Sequence, residues 1–137
     1  MEATTTIRVR YQETDQMGIV YHTNYIVWFE IGRTEWLRQS GATYKELENL
    51  GVLLPVTNVD CKYHASARYD DECIISTTVE SFTPARMKFF YQILRKSDGK
   101  LLAEGHTEHC FLTKEGKIVR LQKAAPQIAQ IIAESSM

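Results

Sequence analysis

The residues best suited to chemistry gather between Tyr11 and Tyr25, where Glu13, Asp15, Gly18, His22 and Asn24 sit in a polar, glycine-broken loop just before a helical pattern. A helix start leaves about four backbone N–H groups without intrahelical partners, and the helix dipole adds partial positive charge there. Such an end favours an anion or a polarised carbonyl oxygen. Gly18 lets the chain turn, so Asp15 can return over that end without a long connection. A carboxylate beside a carbonyl carbon, with donors aimed at the oxygen where charge develops, is equipment for acyl transfer. Asp15 could instead serve the loop alone, its side chain closing an Asx turn. Glu13 reads as a solvated neighbour. His22 suits either positioning water or substrate or a plain hydrogen bond near the helix start.

The helix that must position these groups can be counted. Tyr25, Trp28, Phe29, Gly32 and Trp36 draw one apolar stripe at helical spacing, whereas Glu30, Thr34, Glu35 and Arg38 fall largely elsewhere. Thr23 and Asn24 are suitable N-caps, and Ser40 with Gly41 supplies the stop. Gly32 inside the stripe costs roughly 1 kcal/mol of helix propensity against Ala, which points to close approach of a neighbouring backbone. Before the loop, residues 5–11 alternate as a half-buried strand. After the helix, Thr43 to Leu50 reads as a short second helix with Thr43 and Glu46 as a capping box and Gly51 as the stop. Four strands are expected over Leu54–Ala65, Cys73–Phe82, Arg86–Arg95 and Leu101–Thr113, with Asp98-Gly99 the clearest hairpin turn. Pro126 to Ala133 closes the chain as a short helix. Strands that follow helices in a run indicate an α+β fold, one antiparallel sheet around one long helix.

Length and composition bound the function. A chain of 137 residues fits a single domain, 1–137, with a real core. A formal net charge of −1 with no basic tail argues against nucleic acid and anionic membrane surfaces as partners, though a small basic patch for a phosphorylated ligand is compatible with it. The three cysteines, Cys61, Cys73 and Cys110, are odd in number and lack CxxC spacing, which fits a reduced, cytoplasmic setting. No export signal or membrane span is expected. His64, His106 and His109 with Cys61 and Cys110 lack compact ligand spacing, so no metal and no cofactor is expected. The Gly-x-Ser-x-Gly elbow of serine hydrolases is absent from the sequence.

The pattern Tyr11-x3-Asp15-x2-Gly18-Ile19-Val20-Tyr21-His22-x-Asn24-Tyr25, followed by Trp28-Phe29-Glu30-x2-Arg33, closely resembles the hotdog-fold acyl-CoA thioesterases. More narrowly it is similar to their 4-hydroxybenzoyl-CoA thioesterase-like branch, which includes the small bacterial thioesterases encoded beside the Tol–Pal genes. The run from Tyr63 through Ala65, Arg68 and Tyr69 to Asp70 and Asp71 supports the likeness, which covers most of the chain. The resemblance implies a sheet wrapped around the long helix, protomers joined edge to edge as a homodimer and paired again as a homotetramer, and a site at the dimer interface. It implies Asp15 as nucleophile or general base, a helix-start amide at or next to His22 as the oxyanion donor, and Tyr11 supporting carboxylate or substrate. Gly18 falls with the substrate-binding residues, and Lys62, Arg68, Arg86 and Lys88 are candidates for the CoA phosphates. The implied function is hydrolysis of acyl-CoA to free acid and CoA. The alternatives are a non-catalytic acyl-CoA or acyl-carrier-protein binding module and a hotdog dehydratase.

Overall fold

A computed structural model describes residues 1–137. Strand β1 (Ala3–Arg8) leads through a single 3-10 turn (Tyr11–Glu13) into helix α1 (Thr23–Ser40), and a short α2 (Tyr44–Asn49) follows. Strands β2 (Val52–Leu53), β3 (Val56–Tyr63), β4 (Glu72–Phe82), β5 (Arg86–Arg95), β6 (Leu101–Cys110) and β7 (Leu112–Thr113) come next. Helices α3 (Leu121–Ala124) and α4 (Pro126–Ser136) complete the chain. Five strands form one antiparallel sheet in the order β1-β4-β5-β6-β3, and β2 pairs with β7 in a separate ribbon.

The inner face of the sheet wraps α1. Met87, Phe89, Tyr91 and Ile93 alternate inward on β5, and all are buried, as the period of two requires. They meet the stripe Tyr25, Trp28, Phe29, Gly32 and Trp36, all buried. Phe29 stacks on Tyr91 with ring centroids 4.4 Å apart, and Trp36 meets Phe89 edge-on at 5.9 Å. Each such aromatic contributes roughly 1.5–3 kcal/mol by leaving water. Gly32 is at a close approach as expected, but to side chains of the sheet and not to its backbone: a Cβ there would collide with Thr77 Oγ1 and lie 2.8 Å from Ile75 Cγ2. The antiparallel sheet around one long helix is therefore the architecture expected.

Several boundaries differ from expectation. β1 ends at Arg8: Val9 N–H still donates to Asp71 O (2.9 Å), but Val9 O accepts from Asp70 N–H (3.0 Å), one residue out of register with the β4 ladder. Helix α1 is capped by neither Thr23 nor Asn24. His22 occupies the cap position with helical φ −56° and ψ −32° and no side-chain cap, while Asn24 Nδ2 donates to Glu13 O at 3.0 Å. The expected strand over Leu54–Ala65 is interrupted at Leu54 and Pro55, since proline cannot donate to a ladder. The strand over Leu101–Thr113 breaks at Phe111, where β7 leaves to pair with β2. Helix α3 was not expected. Half of the expected α2 capping box is present: Thr43 Oγ1 accepts from Glu46 N–H at 3.1 Å, while the Glu46 carboxylate accepts from the Thr43 hydroxyl (3.4 Å) and not from its backbone N–H.

Candidate active site

The loop before α1 is pinned at both ends. Thr14 and Val20 form a bridge, Asp15 N–H donates to Ile19 O at 2.9 Å and Gly18 N–H to Asp15 O at 3.0 Å. Gly18 adopts φ +78°, which a residue with a Cβ takes reluctantly. Val20 N–H donates to Ala67 O and Tyr21 N–H to Glu13 O, both at 2.9 Å, so the loop is tied to the 64–71 segment and to its own start.

Glu13 corrects the solvated-neighbour expectation. It is buried; Oε1 accepts from Arg10 N–H at 2.8 Å and Oε2 from the Trp28 indole N–H at 2.9 Å. Trp28 brings an N–H into the core and needs an acceptor there, which is why an acid turns inward. With its backbone oxygen accepting from Tyr21 and Asn24, Glu13 fastens loop to helix. The type and spacing of Trp28 carried the signal; the expected amphipathic stripe counted it only as apolar surface.

Asp15 is half-buried, and its Oδ1 accepts from Met17 N–H at 2.8 Å, an Asx turn. Its other carboxylate oxygen makes no hydrogen bond within the chain. The His22 N–H likewise has no partner, whereas Asn24 and Tyr25 N–H groups bond to Tyr21 O (2.9 Å) and His22 O (3.4 Å). A donor is thus exposed where the helix dipole concentrates positive charge. Beside it lies a cavity of about 250 Å³, walled by Ile19, Val20 and His22 on one side and Tyr63, His64 and Ser66 on the other, with Tyr25 at its back. Asp15 itself is not among the residues that line this cavity, although the chain it begins reaches the wall four residues later at Ile19.

The cavity wall is aromatic and fixed. The Tyr63 hydroxyl donates to His22 O at 2.9 Å, and its ring lies edge-on to Tyr25 (5.4 Å) and to His22 (6.1 Å). The Tyr25 hydroxyl accepts from Ala67 N–H at 3.0 Å. Burial is the main cause that pushes the Tyr63 hydroxyl up to about 12, so it remains a donor. Tyr63 and Tyr25 have places in the site that the motif alone did not give them. Tyr11 stands apart from Asp15: it is exposed, and its ring packs edge-on against Tyr69 at 5.8 Å.

The basic candidates divide. Lys62 is exposed beside Tyr63, and Arg68 is exposed two residues beyond Ser66, so both lie at the cavity end of the sheet. Arg86 pairs in register with Cys110 while Tyr63 is opposite Ala103, which puts them at opposite ends of β6, about 24 Å apart. Lys88 is engaged by Glu80 at 3.2 Å and Glu108 at 3.7 Å. His106 lies between Asp60 (3.0 Å) and Glu80 (3.3 Å), and no three His, Cys, Asp or Glu side chains are grouped so as to hold a metal ion. All three cysteines are free, and no helix is long and apolar enough to cross a membrane.

Residues 9–131 match the model of the thioesterase-like superfamily. The protein YneP of Bacillus subtilis is 37% identical over 121 residues, covering 88% of this chain and 87% of that one. The acyl-CoA thioester hydrolase YbgC of Escherichia coli O157:H7 is 34% identical over 98 residues, 72% of each chain. Among solved structures, the DHNA-CoA thioesterase of Staphylococcus aureus superposes with a TM-score of 0.93 at 31% identity, covering 97% of this chain and 89% of that one.

Proposed function

The chain belongs to the thioesterase-like superfamily, a hotdog-fold thioester hydrolase by kinship, and we propose that its reaction is the hydrolysis of acyl-CoA to free acid and CoA. The observation that carries the reading is the unpartnered His22 N–H at the start of α1, opening beside an aromatic-walled cavity one loop away from a carboxylate with a free oxygen. A thioester carbonyl oxygen received by that amide gains stabilisation as it becomes an oxyanion, an effect worth about 3 kcal/mol for one donor. Asp15 then acts in one of two ways. It takes a proton from water as the water oxygen adds to the carbonyl carbon, or its own oxygen adds and the resulting anhydride is hydrolysed in a second step. In both routes the C–S bond breaks as the tetrahedral species collapses, and the departing thiolate takes up a proton.

The Asx turn favours a second role for Asp15, in shaping the loop. Asp15→Asn separates the two, because an Asn side-chain oxygen can still accept from Met17 N–H while the carboxylate is lost. Turnover is expected to fall at least about 100-fold with the fold and ligand binding kept. Near-normal hydrolysis by this variant rejects Asp15 as the reacting group. Single turnover in ¹⁸O-water reads the route: an anhydride opened at the Asp15 carbonyl leaves the label in the Asp15 carboxylate and none in the first product acid, whereas general-base catalysis puts the label directly into that acid.

On its motif we assign the chain to the 4-hydroxybenzoyl-CoA thioesterase-like branch, and a hydrolysis screen across short, long and aromatic CoA esters tests that assignment. Lys62 and Arg68 are the phosphate-binding candidates supported by position at the cavity end. We take residues 1–137 as one domain and the protein as cytoplasmic, a location that three free cysteines suit. A homodimer through the edge of β3 is supported by exposed Val56, Val59 and Tyr63 on that strand. Antiparallel pairing of two β3 edges about a two-fold axis carries the Val56 end of one protomer, with its Arg86, towards the Tyr63 end of the other.

A further inference from the structure

A larger cavity, about 440 Å³, lies farther along α1, between Glu30, Arg33 and Thr34 of the helix and Tyr44 of α2, with an apolar wall running from Val52 to Pro55. The Arg33 guanidinium is half-buried and forms no ion pair with any carboxylate of the chain. Its Nε donates to the Tyr44 hydroxyl at 3.1 Å. A half-buried guanidinium stays charged, and with no carboxylate within ion-pair distance its remaining donors are available to a ligand.

The hydrogens behind Arg33 can be assigned in direction. His109 is fully buried, and burial is the main cause that lowers it to about 4, so the imidazole is neutral. Its Nδ1 lies 3.2 Å from Leu54 O, which can only accept, so Nδ1 carries the proton and Nε2 must accept from Thr107 Oγ1 at 2.8 Å. Thr107 has then used its hydrogen, and Tyr91 donates to it at 2.6 Å. The Tyr91 oxygen is left facing Arg33 as an acceptor. Every bond in this chain points away from Arg33 and ends on a backbone carbonyl. Tyr44 accepts from Arg33, and its own hydrogen has no acceptor within the chain. The Thr34 hydroxyl is spent on Glu30 O at 2.8 Å. The floor of the cavity therefore offers donors, an N–H of Arg33 and the O–H of Tyr44, beneath an apolar wall.

We propose that this cavity is a carboxylate subsite, in which Arg33 and Tyr44 bind the carboxylate of an ω-carboxyacyl chain or of a free dicarboxylic acid. An acceptor-only anion meets a donor-only floor, and a planar carboxylate matches the guanidinium fork. Methylenes of the same ligand lie against the wall at Val52 and Leu54. Glu30 and Glu48 at the rim are exposed and screened, and they weaken the site without filling it. The acyl form rests on the thioesterase reading; Glu30 to Thr34 stand about 12–18 Å along the helix from His22, a span for a long chain.

The test compares kcat/KM for dodecanedioyl-CoA with dodecanoyl-CoA and titrates free adipate calorimetrically, on the wild type, Tyr44→Phe, Arg33→Gln and Glu30→Gln. The expected result is a preference of about tenfold or more for the dicarboxylic ester, falling towards unity in Tyr44→Phe, which keeps the ring, with dodecanoyl-CoA hydrolysis unchanged. Glu30→Gln is expected to bind adipate more tightly. Adipate binding that is lost in Tyr44→Phe, without any ester preference, identifies the ligand as a free dicarboxylic acid. Absence of both the ester preference and adipate binding in the wild type overturns the subsite. Failure to hydrolyse dodecanoyl-CoA or any other acyl-CoA counts against the thioesterase reading alone, because adipate binding needs no turnover.

Discussion

Glu13 and His109 show how single buried polar groups set the terms for the site around them. Glu13 accepts one N–H with each carboxylate oxygen, from Arg10 and from Trp28, so Glu13→Gln must turn an NH2 against one of those donors. We expect the substitution to cost about 1–3 kcal/mol, read as a lower urea midpoint at unchanged m-value. His109 makes stability depend on pH. Its folded value, lowered to about 4, lies below the ordinary 6.5, so between those limits the unfolded chain binds more protons. Stability should therefore rise with pH through that window and lose up to about 3 kcal/mol on acidification across it. His109→Gln, which cannot titrate, should flatten that part of the profile. At this scale the sequence exposed Asp15, Gly18 and His22 by their order before a helix. The inward turn of Glu13 was hidden, because an acid's burial depends on a donor reaching it from fifteen residues away. Tyr63 was hidden for the same reason, its partner His22 being 41 residues distant.

Helix α1 and strand β5 were the most legible elements, since each presents one unbroken apolar period to a single neighbour. The ends were less so. A cap is chosen by competition, and Asn24 was drawn off to Glu13 O, leaving His22 at the start with its N–H open. The strand break at Phe111 depends on where β2 and β7 find each other, which no local period records, whereas the break at Pro55 had a local signal, the missing N–H, that the expected strand ran across. Gly32 is the point where helix and sheet geometry meet. Ala there would gain about 1 kcal/mol of helix propensity, yet its Cβ would be driven into Thr77 Oγ1 and against Ile75, an overpacking cost of about 1–3 kcal/mol. The net expectation for Gly32→Ala is destabilisation by up to about 2 kcal/mol, measured by thermal or urea unfolding. A neutral or stabilised variant would mean that the helix can lift off the sheet at that point without loss.

For the whole molecule, the decisive feature is the one edge of the sheet that bears exposed apolar side chains. Along β3, Val56, Val59 and Tyr63 are exposed while the strand bonds to β6 on one side only, an arrangement that invites a second strand. Edge pairing of two copies would bury these side chains and bring the Leu54–Pro55 end of one protomer to the Tyr63 cavity of the other. Two consequences can be measured together. Val59→Asp places an acid near the two-fold axis, where it confronts its own copy, so sedimentation should show dissociation at concentrations at least tenfold above those at which the wild type separates, about 1.4 kcal/mol of association energy. Activity per protomer should fall in step with the dimer fraction if, as proposed, the partner's Leu54–Pro55 end supplies a second wall to the cavity. Unfolding of the separated protomer should stay cooperative, since α1 packs on β1, β4 and β5 within the chain and not on the β3 edge. A wild type that sediments as a fully active monomer would refute the shared site and leave catalysis to the His22 amide and Asp15 of a single chain.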